Sequence, residues 1–259
     1  MNKKIITKKK ELLVKHLLKS IFLACGVIYS LNGFANAEVE IPLLGKTMTQ
    51  AKQQDMSPKQ ALLRLKEGNQ RFLNNKLVAR DYLKQAYQSS YGQYPFAVVL
   101  NCMDSRSVPE FLFDQGLADL FTLRVAGNIV NDDILGSMEF ATKAAGARLI
   151  VVLAHTSCGA VAGACNGVKL GHLTDVLDKI QPAVQMSMKA EDSKNCSDYK
   201  LVDAIAKTNA LNMVKEIQER SPILKALVEN NKVGIVAGMH DIKTGQVTFF
   251  EEGRSVPKS

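Results

Sequence analysis

The sequence predicts an α/β fold, with a mostly parallel central sheet covered by helices, an antiparallel edge strand and an N-terminal helical arm. Three observations carry this. The continuous apolar run Phe96 to Leu100 and the similar, mostly apolar runs Leu120 to Val125, Arg148 to Ala154 and Lys232 to Ala237 read as strands buried on both faces. Helical patterns lie between them, and parallel neighbours need such crossovers. The stretch from Asp241 to Phe250 reads instead as a Lys-Thr-Gly turn and a last, antiparallel edge strand.

Taken from the amino end, residues 1–37 differ from everything that follows. Seven lysines precede the apolar run Ser20 to Phe34, and Ala35-Asn36-Ala37 puts small residues at the cleavage positions. This is the pattern of a signal peptide cut after Ala37, and the run is short for a permanent bilayer span. The expected product is periplasmic or secreted, with no stable membrane insertion. A retained amphipathic anchor, or lipid attachment at Cys25, is the competing reading.

The leader also owns most of the charge. It holds seven of the 33 Lys and Arg and one of the 25 Asp and Glu, so the remainder carries 26 against 24, a net +2. A nucleic-acid partner loses its electrostatic support once the leader is gone.

Residues 38–56 lack a strong period and are expected to be extended, with a single domain over 57–259. A chain of 259 residues with 46% apolar content is long enough for a full core. Ser57-Pro58-Lys59-Gln60 opens a helix, with Ser57 as N-cap, Pro58 at the first helical position and Gln60 closing a capping box. Ala61, Leu62, Leu65 and Phe72 give it an apolar stripe. A short helix fits within 76–94. Asp132 or Asp133 caps a helix reaching about Ala145, longer helices cover 173–190 and 200–219, and Ser221-Pro222 starts another.

In a parallel sheet, functional side chains collect just past the carboxyl ends of strands. Cys102-Met103-Asp104-Ser105-Arg106 follows the run 96–100, and His155-Thr156-Ser157-Cys158 follows 148–154. If those strands are neighbours, Cys102, His155 and Cys158 converge. Two thiolates and an imidazole suit a zinc ion, and three protein ligands leave a fourth position open for chemistry. H-x-x-C alone is weak, since a lone buried thiol or core histidine is common; the two segments together are specific. Asp104 and Arg106 share a loop and can pair there, placing a fixed carboxylate beside the metal.

C-x-D-S-R followed about 50 residues later by H-x-x-C resembles the β-carbonic anhydrase family. Phe113 to Asp119, Arg124-Val-Ala-Gly-Asn128, Gly136 to Phe140 and Gly159-Ala160 are similar to that family's segments in the same order, and Gly68 to Phe72 resembles its amino-terminal arm. The resemblance covers about residues 57 to 252. It implies one Zn2+ per chain held by Cys102, His155 and Cys158, with Asp104 and Arg106 as the catalytic pair. The implied reaction is reversible hydration of carbon dioxide to bicarbonate and a proton by zinc-bound hydroxide. Asp104 could also swing onto the metal and close the site. Some relatives have an inhibitory bicarbonate site that uses a tryptophan; this chain has none, which favours the open type. A homodimer is the implied unit, with a homotetramer possible.

Two other readings share these residues: hydrolysis of a related heterocumulene such as carbon disulfide, and a non-catalytic zinc-bound scaffold. Pocket access separates the first, and a fourth protein ligand would favour the second. Gly127 and Asn128 are candidates for positioning substrate, Gly127 because backbone can approach closely there. For the released proton the sequence offers His172, His240 and several tyrosines, none marked by a motif. Cys165 and Cys196 lie outside the zinc motifs. An oxidising compartment would permit a bond between them, but the sequence supplies no geometry for one, and whether they pair stays open.

Overall fold

A computed structural model describes residues 45–188 and 195–256. The leader and its cleavage site lie outside the described residues.

Helix α1 (Gln50–Asp55) falls in the segment expected to be extended. Thr49 caps it through the Lys52 amide, and Gln53 fixes it to the body by donating to the carbonyls of Pro95 and Ala145. A long-range amide contact, rather than an apolar stripe, makes this turn worth forming. Helix α2 (Pro58–Leu73) has the full capping box of Ser57 and Gln60, with Pro58 in its first turn. Helix α3 (Tyr82–Ser89) completes the arm. The buried carboxylate of Asp114 pairs with both Arg71 and Arg80 and so fastens the arm to the sheet layer.

The sheet contains β1 (Ala97–Asn101), β2 (Leu120–Arg124), β3 (Leu149–His155), β4 (Gly234–His240) and β5 (Val247–Phe249), in the order β2-β1-β3-β4-β5. All pairs are parallel except β4 with β5. The turn before β5 passes through Gly245 at φ +82°, a conformation that suits glycine. Alternation explains the unbroken apolar runs. Val98, Leu100, Ile150, Val152 and Ile235 face one helical layer, while Ala97, Val99, Val151, Leu153 and Val236 face α2 and the short helix α4 (Pro109–Leu112).

Several helix boundaries differ from the sequence reading. Asn131, not Asp132 or Asp133, caps α5 (Asp132–Glu139), which runs into a π-helical turn over Phe140–Ala144. Beyond β3 comes α6 (Gly159–Cys165). The single helix expected over 173–190 is two, α7 (Leu173–Asp178) and α8 (Gln181–Ser187), because Pro182 has no amide proton and starts a new helix. Helices α9 (Tyr199–Arg220) and α10 (Pro222–Glu229) follow as read, with Ser221 capping α10 through the Leu224 amide.

The question left open for Cys165 and Cys196 is answered by their geometry. They form a disulfide with their Cα atoms 5.7 Å apart, joining the end of α6 to the approach to α9. Folding brings together two residues 31 positions apart in the chain.

Candidate metal centre

β1 and β3 are hydrogen-bonded neighbours, so Cys102, the residue after β1, and His155, the last of β3, emerge side by side. Cys158 stands three residues past His155, directly after the Thr156–Ser157 turn, as the N-cap of α6. All three are buried, and one potential ligand atom from each lies within 4.8 Å of the other two. Asp104 lies outside that cluster.

The three side chains fit a divalent cation. The two sulfurs are 4.0 Å apart, against the roughly 3.8 Å that bonds of about 2.3 Å to a tetrahedral zinc would give. His155 Nδ1 lies 2.9 Å from the Thr156 carbonyl and is the natural donor there, which leaves the Nε2 lone pair facing the sulfurs. Nε2 is buried and has no hydrogen-bond partner. An orphaned acceptor of this kind, beside two thiols, is the donor set that zinc takes.

Charge on the Cys102 sulfur is supported by its neighbours. Contact with the Cys158 thiol, followed by His155 and the Gly127 amide, outweighs burial and brings Cys102 down to about 4. The same sulfur contact, together with burial, pushes Cys158 up. The pair thus shares one proton between two sulfurs, and a dication would take that proton's place.

The loop after β1 is held by its own polar groups. Buried Asn101 donates to the carbonyls of Cys102 and Ser107, and the Ser107 amide donates to the Asp104 carbonyl. Arg106 grips Asp104 with Nε at 2.9 Å and a terminal nitrogen at 2.8 Å, its backbone amide adding a third bond at 3.0 Å. This fork, opposed by partial burial, holds the Asp104 carboxyl well below the usual carboxylate range. Asp104 Oδ2 is 3.9 Å from His155 Nε2, at the rim of the triad. Arg124, at the end of β2, donates to the Asp104 carbonyl at 2.6 Å.

Gly127 sits at φ +69°, its amide 3.4 Å from the Cys102 sulfur; a Cβ there would lie 2.5 Å from Ile180 Cδ1. Its close approach is therefore to a ligand sulfur. Asn128 is buried at φ +42°, and its side-chain nitrogen has no hydrogen-bond partner. His240 pairs in register with His155 but is buried, with Nδ1 3.2 Å from the Ser107 hydroxyl. Burial, the largest cause, pushes it down to about 4, so it is neutral at neutral pH. His172 is exposed, at the N-cap of α7.

Sequence reasoning missed Asp203 and Asn209 of α9. The Ser157 amide donates to Asp203 at 2.7 Å, and Asn209 donates to the Gly127 carbonyl at 2.9 Å. A signal existed for Asn209: it interrupts the buried stripe Ile205, Ala206, Ala210, Met213 with a polar residue.

A mostly parallel sheet thus presents two cysteines and a histidine from neighbouring strands, beside a forked Asp–Arg pair, as a group that could hold a metal ion. The family model described as carbonic anhydrase matches residues 97–247. The carbonic anhydrase of Mycolicibacterium smegmatis is 32% identical over 197 residues, covering 74% of this chain and 92% of that protein. The β-carbonic anhydrase CcaA superposes with a TM-score of 0.60 at 25% identity, over 76% of this chain and 92% of its own. A tetrameric β-carbonic anhydrase of Sordaria macrospora has a TM-score of 0.58 at 21% identity, over 64% and 85% of the two chains. The chain belongs to the carbonic anhydrase family, in its β class.

Proposed function

We propose that this chain hydrates carbon dioxide reversibly, with one zinc ion held by Cys102 Sγ, His155 Nε2 and Cys158 Sγ. The observation that carries this is the buried triad with its orphaned His155 Nε2, rimmed by the Asp104–Arg106 fork. When bound, zinc supplies a Lewis acid that makes a water in its open position more acidic, an effect for which carbonic anhydrases are themselves the standard example.

The chain's own residues do the rest. Asp104, held ionised by Arg106, is an acceptor only, so it orients a donor at the rim and directs that donor's lone pair away from itself. Arg124 fixes the loop from behind through the Asp104 carbonyl. The bond from Gly127 lowers the basicity of the Cys102 sulfur.

The test is stopped-flow hydration of carbon dioxide with zinc content measured on the same sample. Asp104→Asn should keep the metal and lose activity by about a hundredfold or more. Full turnover in that variant would remove Asp104 from the mechanism. Cys102→Ser should lose the metal itself. A zinc-loaded but inactive wild type would favour another heterocumulene as substrate.

Export to the periplasm or beyond is the reading that the leader pattern and the Cys165–Cys196 disulfide support, since such bonds persist in oxidising compartments. A homodimer or homotetramer fits the exposed apolar side chains of the arm, Leu63, Leu83, Tyr87 and Tyr91, and the tetrameric Sordaria neighbour. Among the described residues, no helix is long and apolar enough to cross a membrane.

A further inference from the structure

Two turns beside the metal ligands each contain a residue in the left-handed region: Gly127 at φ +69°, in the turn after β2 whose amide reaches the Cys102 sulfur, and Ser157 at φ +54°, between His155 and Cys158. Gly127 tolerates this conformation. Ser157, which carries a Cβ, is strained by it and needs an outside partner to hold it there. It lies between two ligands, directly before Cys158, so any relaxation of Ser157 moves a sulfur.

Both turns are held by the same helix. Asp203 accepts the Ser157 amide at 2.7 Å, a charge-assisted bond. Asn209, buried two turns later on α9, donates to the Gly127 carbonyl at 2.9 Å, and the Gly127 amide points at the Cys102 sulfur. The helix is itself tied back to the site. Cys158 is the N-cap of α6, α6 ends at Cys165, and the disulfide joins Cys165 to Cys196 just ahead of α9. A closed circuit results, from Cys158 along α6, through the disulfide into α9, and from Asp203 back to Ser157.

We propose that α9 is the brace of the metal centre, with Asp203 and Asn209 as positioning residues that set where the Cys158 and Cys102 sulfurs stand. Neither touches the metal or the substrate. Asp203 acts through the Ser157 amide, and Asn209 acts through the Gly127 peptide. The inference rests on the zinc reading of the triad.

The experiment measures zinc affinity by competition with a chromophoric chelator, and the absorption of the cobalt(II)-substituted protein, whose thiolate charge-transfer and ligand-field bands report the geometry around the ion. Four proteins are compared: wild type, Asp203→Ala, Asp203→Asn and Val214→Ala. Val214 is buried on the same helix, so its truncation lowers stability without touching either turn. Asp203→Ala should bind zinc about 10- to 100-fold more weakly, the usual cost of removing a partner that orients a ligand, and its cobalt bands should shift. Asp203→Asn keeps an acceptor and should recover most of the affinity. Val214→Ala should match the wild type in both readouts. Unchanged affinity and bands in Asp203→Ala would overturn the proposal. So would equal losses in Asp203→Ala and Asp203→Asn, or in Asp203→Ala and Val214→Ala. Failure of the wild type to take up zinc or cobalt would overturn the metal reading, and this inference with it.

Discussion

Reducing the Cys165–Cys196 disulfide should cost this protein a large part of its stability, and the size follows from the loop it closes. The bonded residues are 31 apart, and the closed stretch includes α7 and α8. In the chain-entropy account, a cross-link of that span removes unfolded-state freedom equivalent to about 3–4 kcal/mol at room temperature. Against a net stability of about 5–15 kcal/mol for an ordinary domain, that is a substantial fraction. The double variant Cys165→Ala/Cys196→Ala leaves Cys102 and Cys158 as the thiols of the core. Urea unfolding followed by circular dichroism, with zinc at saturation, should show its midpoint about 1–2 M below the wild type. Wild type treated with a phosphine reductant, which removes the bond without introducing a competing thiol, should fall to the same midpoint. A loss below about 1 kcal/mol in both samples would refute the reasoning, because it would mean that the unfolded chain gains no freedom when the loop opens.

Two further outcomes follow from residues around the triad. Gly127→Ala places a Cβ 2.5 Å from Ile180 Cδ1 at φ +69°, so strain and overpacking together should cost about 2–4 kcal/mol. Adding Ile180→Val removes the clashing methyl, so the pair should be less destabilised than the sum of the single variants; strict additivity in urea melts would sink that account. His240 has a folded pKa of about 4 against an ordinary 6.5. Between those values the unfolded chain takes up a proton that the native chain refuses, so stability falls as pH drops from about 6.5 to about 4, by up to about 3 kcal/mol. His240→Gln should flatten this slope between pH 7 and pH 5, and an unchanged slope would assign it to other groups.

The middle of the sheet was legible because β1, β3 and β4 are buried on both faces and read as nearly solid apolar runs, whereas β2, expected to be buried on both faces, is an edge strand only half-buried and carries Thr122 and Arg124. The triad was legible for a related reason: Cys102 and His155 follow such runs directly, where parallel strands present their functional residues. What the residues alone left open was whether those two strands are neighbours, which is a property of sheet order. Other features depend on partners distant in sequence. The turn at 50–55 is secured by Gln53 reaching Pro95 and Ala145. The disulfide joins cysteines whose separation along the chain says nothing about their distance in space. Pro182 is different, since it marks a helix break within 173–190 that could have been read directly.

A buried pair of thiols is ordinarily inert, because burial disfavours the thiolate. Here backbone donors oppose that penalty: the Gly127 amide at Cys102, and the amides of Ala160 and Val161 in the first turn of α6 at Cys158. With them, and chiefly with the Cys158 contact, Cys102 is brought down to about 4, while Cys158 stays raised and gives up its proton only to a dication. Each donor reaches its sulfur only if the peptide before it turns correctly, and those turns pass through Gly127 and Ser157. The chemistry of the triad therefore depends on conformations that α9 holds from the side, through a carboxylate and an amide that belong to no recognisable motif.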